Sequence, residues 1–407
     1  MITRSASPRS VSERLADTPK VRDTILAAAA AARGVPGTDP RACAHSWLFT
    51  GPPGSGRSNA ALAFAAALVC EDPEVIGCGR CKGCQDALAG HHTDVVHVVP
   101  QELTISANLV RTEIVAKAAR LSTIASHRII IIENADRLTE EAADALLKTV
   151  EEPPEGTVIV LCAPSTDPRD ISQTLRSRCR HLYIPSPSED EVVRVLMAEE
   201  GASEAHARLA AATSLRHLGR ARLLVRNEAI QIRRASAIHL AEQVFFGSQA
   251  FQAAGALVKR IEKESVADYA DADAEERAKL ERSFGVGAKG KGAAKATAGV
   301  SAAVKALEAQ QKARGTRRKR DVFDLILVDL AGVYRDALVL QSGAQVPLTH
   351  PDFEGLAQEI ANRVSQTGLI ACQDAIAQCR ERLHQQVAPA VAFNGMIGHL
   401  RNACDVT

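Results

Sequence analysis

Gly51-Pro52-Pro53-Gly54-Ser55-Gly56-Arg57-Ser58 follows the apolar run Trp47-Leu48-Phe49 and leads into an Ala/Leu-rich stretch, Ala60 to Val69. A strand feeding a glycine-rich loop that opens a helix presents backbone N–H groups to phosphate oxygens. In the pattern G-x-x-x-x-G-K-[ST], glycines free the backbone, lysine places a compact charge on the β- and γ-phosphates, and the hydroxyl coordinates Mg²⁺. Gly51, Gly54, Gly56 and Ser58 keep that pattern, but Arg57 stands at the lysine position. A planar guanidinium does not replace an ammonium there. The chain therefore reads as built for ATP or ADP with Mg²⁺ and altered where hydrolysis needs it most.

Working outward, Ser46–Thr50, Asp94–Pro100, Arg128–Glu133, Thr157–Ala163 and His181–Pro185 are the strand candidates. VVHVV, IIIIE and TVIVLCA are nearly continuous in apolarity, as strands buried on both faces are. Helical patterns lie between them. Ala143, Leu146, Leu147 and Val150 recur at helical spacing until Pro153-Pro154 stops the pattern. This alternation predicts an α/β fold with a parallel sheet and a ligand at the carboxyl ends of its strands, where the Gly51 loop sits. After Pro185-Ser186-Pro187 only helical patterns follow, a small group over 188–235 and a larger one over 236–407. Phe284 to Ala298 is rich in Gly, Ala and Lys and reads as a mobile loop. Arg317-Arg318-Lys319-Arg320 precedes an apolar helix starting near Val322, and reads as a solvated loop or as a contact for nucleic acid or a partner. A flexible insertion near 284–320 is the combined expectation.

The 407 residues suffice for two or three domains, and 46% hydrophobic with 24% charged residues is ordinary for a globular protein. A net charge of +1 gives no global attraction to nucleic acid, and 3% aromatics disfavours a base-stacking platform. No signal-peptide pattern and no membrane-length apolar run is present, so a cytoplasmic protein without membrane contact is expected. Ten cysteines in such a protein are expected reduced, metal-bound or buried.

Three more clusters carry chemistry. A second acidic motif should close a strand with two acids, one for Mg²⁺ and one to polarise the attacking water. Here Ile129-Ile130-Ile131-Ile132 ends in Glu133-Asn134. Glu133 can serve the metal, whereas Asn134 has no ionisable group and cannot be a general base. Cys70, Cys78, Cys81 and Cys84, spaced C-x7-C-x2-C-x2-C with Gly77, Gly79 and Gly83 between them, suit a closed, structural tetrathiolate Zn²⁺ site. His91 and His92 lie nearby as substitute ligands. Ser177-Arg178-Cys179, after Thr174-Leu175-Arg176, sits between the fourth and fifth strand candidates. It is either a surface arginine or a finger inserted into a neighbouring subunit's phosphoryl-transfer site.

Together GPPGSGRS, the four-cysteine insert, IIIIENADRLTEEAADALLKTVEEPP, LCAPS and LRSRCR resemble the delta-prime family of bacterial DNA polymerase III clamp-loader subunits, within the AAA+ class. The form of the first motif and the Gly/Lys-rich insertion resemble its actinobacterial branch. The resemblance covers roughly 20–235. It implies a RecA-like AAA+ core (1–187) carrying the zinc module (70–84), a helical lid (188–235) and an all-α collar (236–407) that oligomerises. It further implies a hetero-pentamer with gamma/tau and delta subunits that places a sliding clamp on primed DNA during replication. Within it this subunit does not hydrolyse ATP, and Arg178 completes the neighbouring gamma/tau site. Arg220, in Leu218-Gly219-Arg220-Ala221, matches the lid's second-sensor position. The family's Gly-Gln signature before the first helix is absent from residues 1–24. Two alternatives are a hydrolysing clamp-loader ATPase of the gamma/tau kind, and a zinc-bearing nucleic-acid-binding module.

Overall fold

The computed structural model describes residues 9–284 and 300–406. Among these, 9–100, 104–211 and 216–222 form one compact unit, and 101–103, 212–215 and 223–406 form a second.

In the first unit the strands are β1 (Ser46–Thr50), β2 (Val95–Val98), β3 (Arg128–Ile132), β4 (Thr157–Ala163) and β5 (Arg180–Tyr183). They hydrogen-bond in the order β2-β3-β4-β1-β5, every neighbouring pair parallel. All five fall within the expected runs or one or two residues from them. Successive side chains of a strand point to opposite faces, and here both faces are covered. Trp47, Phe49, Ile129, Ile131, Val158 and Val160 pack with the helices Pro19–Ala32 and Arg57–Leu68. Leu48, Ile130, Ile132, Ile159 and Leu161 pack with Ile114 and Leu146 on the other side. That is why β1, β3 and β4 are apolar without alternation, while the edge strand β5 is largely exposed. The helix after the glycine-rich loop has alanine at most buried positions, so it lies close on the sheet, and Phe64 meets Trp47 edge-on at 5.2 Å.

The helix Glu140–Glu151 begins at Thr139, whose hydroxyl accepts the Ala142 N–H at 3.2 Å, and ends ahead of Pro153-Pro154. Ala143, Leu146 and Val150 are buried on its inner face, and Leu147 is half-buried.

Asp94 is fully buried at the start of β2. Its carboxylate accepts the N–H groups of Thr123, Ile124 and Ala125 at 2.7, 2.7 and 2.9 Å, with the Arg128 guanidinium 3.5 Å away. Burial pulls its pKa up, but the three backbone donors pull harder and the net shift is downward. A depressed pKa contributes stability that is present above the unfolded carboxylate's pKa of about 3.9 and is lost as acid titrates the folded group. Asp94→Asn removes the charge and turns an amide N–H towards backbone donors. We expect a loss of about 2 kcal/mol in urea unfolding at neutral pH. That difference should shrink as pH falls through the folded carboxyl's range, and an unchanged acid profile would contradict it.

The second unit is helical. Glu228–Gln243, Ser248–Ser283, Val300–Ser342, Glu354–Arg363, Gln366–His384 and Pro389–Ala403 share one core that includes Ile238, Leu257, Leu330, Tyr334, Phe393 and Met396. The helix Glu228–Gln243 runs unbroken through residue 235. Arg234 within it is buried, donating to both Asp352 oxygens at 2.7 and 2.6 Å. The basic run 317–320 lies inside the helix Val300–Ser342 and is not a loop. The helix Ser248–Ser283 packs against the run at Arg318 and against the turn just before it. Arg318 sits over the Tyr269 ring at 3.5 Å, Arg314 pairs with Asp273 and Glu276, and Gln311 donates to the Asp273 carbonyl at 2.9 Å. A helix polar on most sides persists when a neighbour pairs its charges. The Gly/Lys-rich stretch, apart from Phe284, lies outside the described residues. Among the described residues no helix is long and apolar enough to cross a membrane.

Candidate functional site

The glycine-rich loop leaves β1 at its carboxyl end, between β4 and β5. Each of its three glycines is required for a different reason. A Cβ on Gly51 would lie 2.1 Å from the Ile184 carbonyl oxygen. Gly54 has φ +84°, and a Cβ there would strike His217 at 2.5 Å. Gly56, also at φ +84°, is the left-handed N-cap of the helix Arg57–Leu68. The first N–H groups of that helix have no partner within it, so the loop and helix end form an anion cradle.

Arg57 reaches inward. Burial lowers its pKa, offset in part by Cys162 and by the carboxylates of Asp136, Asp170 and Glu133. Its Nη1 is buried without a hydrogen-bond partner, as are Ser55 Oγ and Asp136 Oδ1. These three unsatisfied polar atoms, on the loop, its helix and the turn after β3, suit a polar ligand. Glu133 follows β3, and its Oε1 lies 2.6 Å from His97 Nε2 on β2. Burial pulls the Glu133 carboxyl up, while His97, then Ser58, then the Arg57 charge pull it further down, so it is ionised at neutral pH. His97 escaped the sequence reading, although its place in V-V-H-V, one strand over from IIII, was the available signal. Asn134 is in the left-handed region (φ 51°, ψ 49°), which asparagine tolerates. It offers no proton acceptor of a general base's strength.

A cavity of about 470 Å³ opens beside the loop, lined by Gly54 to Ala60 and, away from the phosphate end, by Leu15, Asp17, Thr18, Ile184, Pro185 and Val192. Its size suits a nucleotide. Arg220 is buried and does not line the cavity; its backbone N–H donates to His217 Nδ1 at 3.3 Å. Arg222 does line it, and pairs with Glu199 and Glu200.

Arg178 ends the helix Gln173–Arg178 and does not line this cavity. Its Nε donates to the Glu151 carboxylate, and its Nη1 to the Thr174 carbonyl at 2.9 Å and to Ser177 Oγ at 3.3 Å. Glu151, from LLKTVEEPP, thus holds the arginine of Ser177-Arg178-Cys179, a pairing no local pattern foretells. Burial pushes the Cys179 thiol up to about 12, so it is a packing residue and not a nucleophile.

The sulfurs of Cys70, Cys78, Cys81 and Cys84 all lie within 4.8 Å of one another. Backbone N–H groups point at them: Cys78 N–H to Cys70 at 3.4 Å, Cys81 N–H to Cys78 at 3.3 Å, and those of Glu71 and Cys84 to Cys81 at 3.4 Å. Such donors stabilise thiolates, so four soft ligands with this surrounding fit a tetrahedral metal. Gly79 is tight against this turn, for a Cβ there would meet the Arg9 carbonyl oxygen at 2.0 Å. His92 stands outside the cluster, its Nδ1 accepting the Asp94 N–H at 3.0 Å.

Residues 38–188 match the family described as "DNA polymerase III, delta subunit". The chain is 35% identical over 147 residues to the DNA polymerase III subunit delta′ of Pseudomonas aeruginosa, covering 35% of this chain and 44% of that one. It is 32% identical over 201 residues to delta′ of Bacillus subtilis, covering 49% and 59% respectively. It is also 31% identical over 170 residues to subunit tau of Bacillus subtilis, covering 39% and 30%. The chain thus spans about half the length of the delta′ relatives. Over that stretch it is similar to DNA polymerase III delta′ subunits, the resemblance its motifs carry.

Proposed function

We propose that this chain is the delta-prime subunit of a DNA polymerase III clamp loader, an AAA+ subunit that holds nucleotide without hydrolysing it and lends Arg178 to a neighbour's ATP site. One observation carries the reading. The polarising acid is replaced by Asn134 beside an otherwise furnished loop, while Arg178 is displayed away from the chain's own cavity by Glu151. The division of labour follows from chemistry. Gly51, Gly54, Gly56, Arg57 and Ser58 would hold ATP or ADP, and Glu133 would serve its Mg²⁺. Without a base to activate water, the complex stays at the binding step in this subunit.

The same reading gives a RecA-like core over 1–187, a lid over 188–235 with Arg220 at its second-sensor position, and a collar over 236–407. It assigns Zn²⁺ to Cys70, Cys78, Cys81 and Cys84 as a structural ion. The partners would be gamma/tau and delta subunits in a cytoplasmic hetero-pentamer that places the sliding clamp on primed DNA. Nucleotide titration of the purified chain tests the core of this. ATP and ADP should bind in the presence of Mg²⁺ with no turnover, and adding gamma/tau and delta subunits should then restore DNA-stimulated hydrolysis. Turnover by the isolated chain that vanishes on Ser58→Ala would instead mark it as a hydrolysing motor of the gamma/tau kind.

A further inference from the structure

His217 occupies an unusual seat. Its Cα, Cβ and ring carbon Cγ crowd the face of Gly54 where a side chain would otherwise be, all within 2.7 Å of an ideal Cβ position, and Gly219 faces the ring's Cε1. The imidazole is therefore held between two glycines, one of them in the phosphate loop, and it lines the same cavity as Arg57 and Ser58. The chain reaches this seat through an uncommon turn. After the helix Glu204–Thr213, the Arg216 N–H bonds the Ala211 carbonyl at 2.9 Å and the Leu215 N–H bonds the Ala212 carbonyl at 3.0 Å. That paired closure usually takes glycine at the position Leu215 holds. Here Leu215 and Arg216 are both left-handed, with φ 53° and 63°. Non-glycine residues kept in that region gather at ligand clamps and switch segments.

We propose that His217 is a proton-linked contact for the phosphates of the bound nucleotide, neutral in the free protein and protonated once polyphosphate occupies the Gly54–Ser58 loop. The inference rests on the nucleotide reading above. Arg57 at the loop's helix and Arg220 on the helix that follows His217 bear on the imidazole. Arg14, Arg222, Asp17 and Glu191 line the cavity with it. Burial first, then the Arg220 and Arg57 charges, disfavour an imidazolium in the free protein. Nδ1 accepts the Arg220 N–H, so Nε2 carries the proton of the neutral ring, and the proton taken up on binding goes to Nδ1 and displaces that 3.3 Å bond. A polyphosphate reverses this balance, because its negative charge offsets the arginines and accepts a charge-assisted bond from the cation. Binding then takes up a proton, and affinity rises as pH falls, by at most about tenfold per pH unit for one linked proton.

Equilibrium titration of ADP into the full-length chain between about pH 8 and pH 6 provides the test. The ligand's terminal phosphate titrates near pH ~6, so the reference is His217→Gln, which keeps bulk and a neutral donor. The wild type should gain about 3- to 10-fold more affinity over this range than the variant. His217→Asn serves as a second neutral variant, and thermal melting confirms that both fold. Parallel profiles for wild type and variants would overturn the proposal while leaving nucleotide binding intact. Absence of ADP binding by the wild type at every pH would instead remove the nucleotide reading, and this inference with it.

Discussion

Arg178→Ala is expected to leave this chain folded while lowering the ATPase rate of a reconstituted clamp loader by about 10³-fold, the loss typical of an arginine finger. The two effects separate because of where the side chain sits. Arg178 is one-third exposed and Glu151 more so, and a pair in that setting contributes well under about 1 kcal/mol once solvent screening is counted. Nothing in the chain's own cavity depends on it. Its guanidinium is aimed by three acceptors, the Glu151 carboxylate, the Thr174 carbonyl and Ser177 Oγ, which fix a planar fork suited to phosphate oxygens. Arg178→Lys keeps the charge and loses the fork, so it should recover only a small part of the rate. Glu151→Gln tests the aiming: the charge at the site survives, and the loss should be about tenfold and not the full amount. Steady-state ATPase of the assembled complex on primed DNA, with assembly checked by gel filtration, reads all three. A loader indifferent to Arg178→Ala would sink the proposed role.

The sheet was legible because burial on both faces writes itself into composition: IIIIE and TVIVLCA admit no alternating polar residue, and β3 and β4 are wholly buried as a result. The glycine loop and the cysteine spacing were legible for a similar reason, since each is a local pattern with a steric cause. What escaped was pairing across distance. His97 meets Glu133 across two strands, Asp94 anchors a loop about thirty positions away, and Glu151 holds Arg178 from a different helix. Nothing in the local sequence around either partner encodes such a meeting. The run 317–320 shows the opposite error. Four basic residues suggest a solvated loop when read alone, but Tyr269 on a second helix takes Arg318, and Asp273 and Glu276 on the same helix pair with Arg314 one turn before the run. His217 escaped because its meaning lies in Gly54, 163 positions earlier, which has no side chain to announce a contact.

Removing the metal proposed for Cys70, Cys78, Cys81 and Cys84 is expected to have the largest effect on stability, and to be felt at the nucleotide cavity. Binding free energies for structural zinc in small domains run to about 10–16 kcal/mol at neutral pH, and this energy is folding energy. The insert does not stand alone. The Val11 N–H bonds the Gly77 carbonyl at 2.8 Å, the Arg9 carbonyl fills the space beside Gly79, and Cys84 lies fully buried against the helix Arg57–Leu68, its sulfur 3.3 Å from the Ala66 carbonyl oxygen. Arg14 and Leu15, just beyond Val11, line the cavity. Stripping the ion should therefore loosen the segment from Arg9 to Leu15 and with it one wall of the nucleotide site. Metal analysis should find one Zn²⁺ per chain. A strong chelator, or Cys84→Ser, should lower the melting temperature by about 10 °C or more and weaken ADP binding. Because thiolates and not thiols bind the ion, acid should release it, and the metal-dependent part of the melting temperature should vanish as pH falls below about 6. Cys43→Ser, a cysteine outside the cluster, should do none of this. A chain purified without zinc and unmoved by Cys84→Ser would show that the four sulfurs are held together by packing alone.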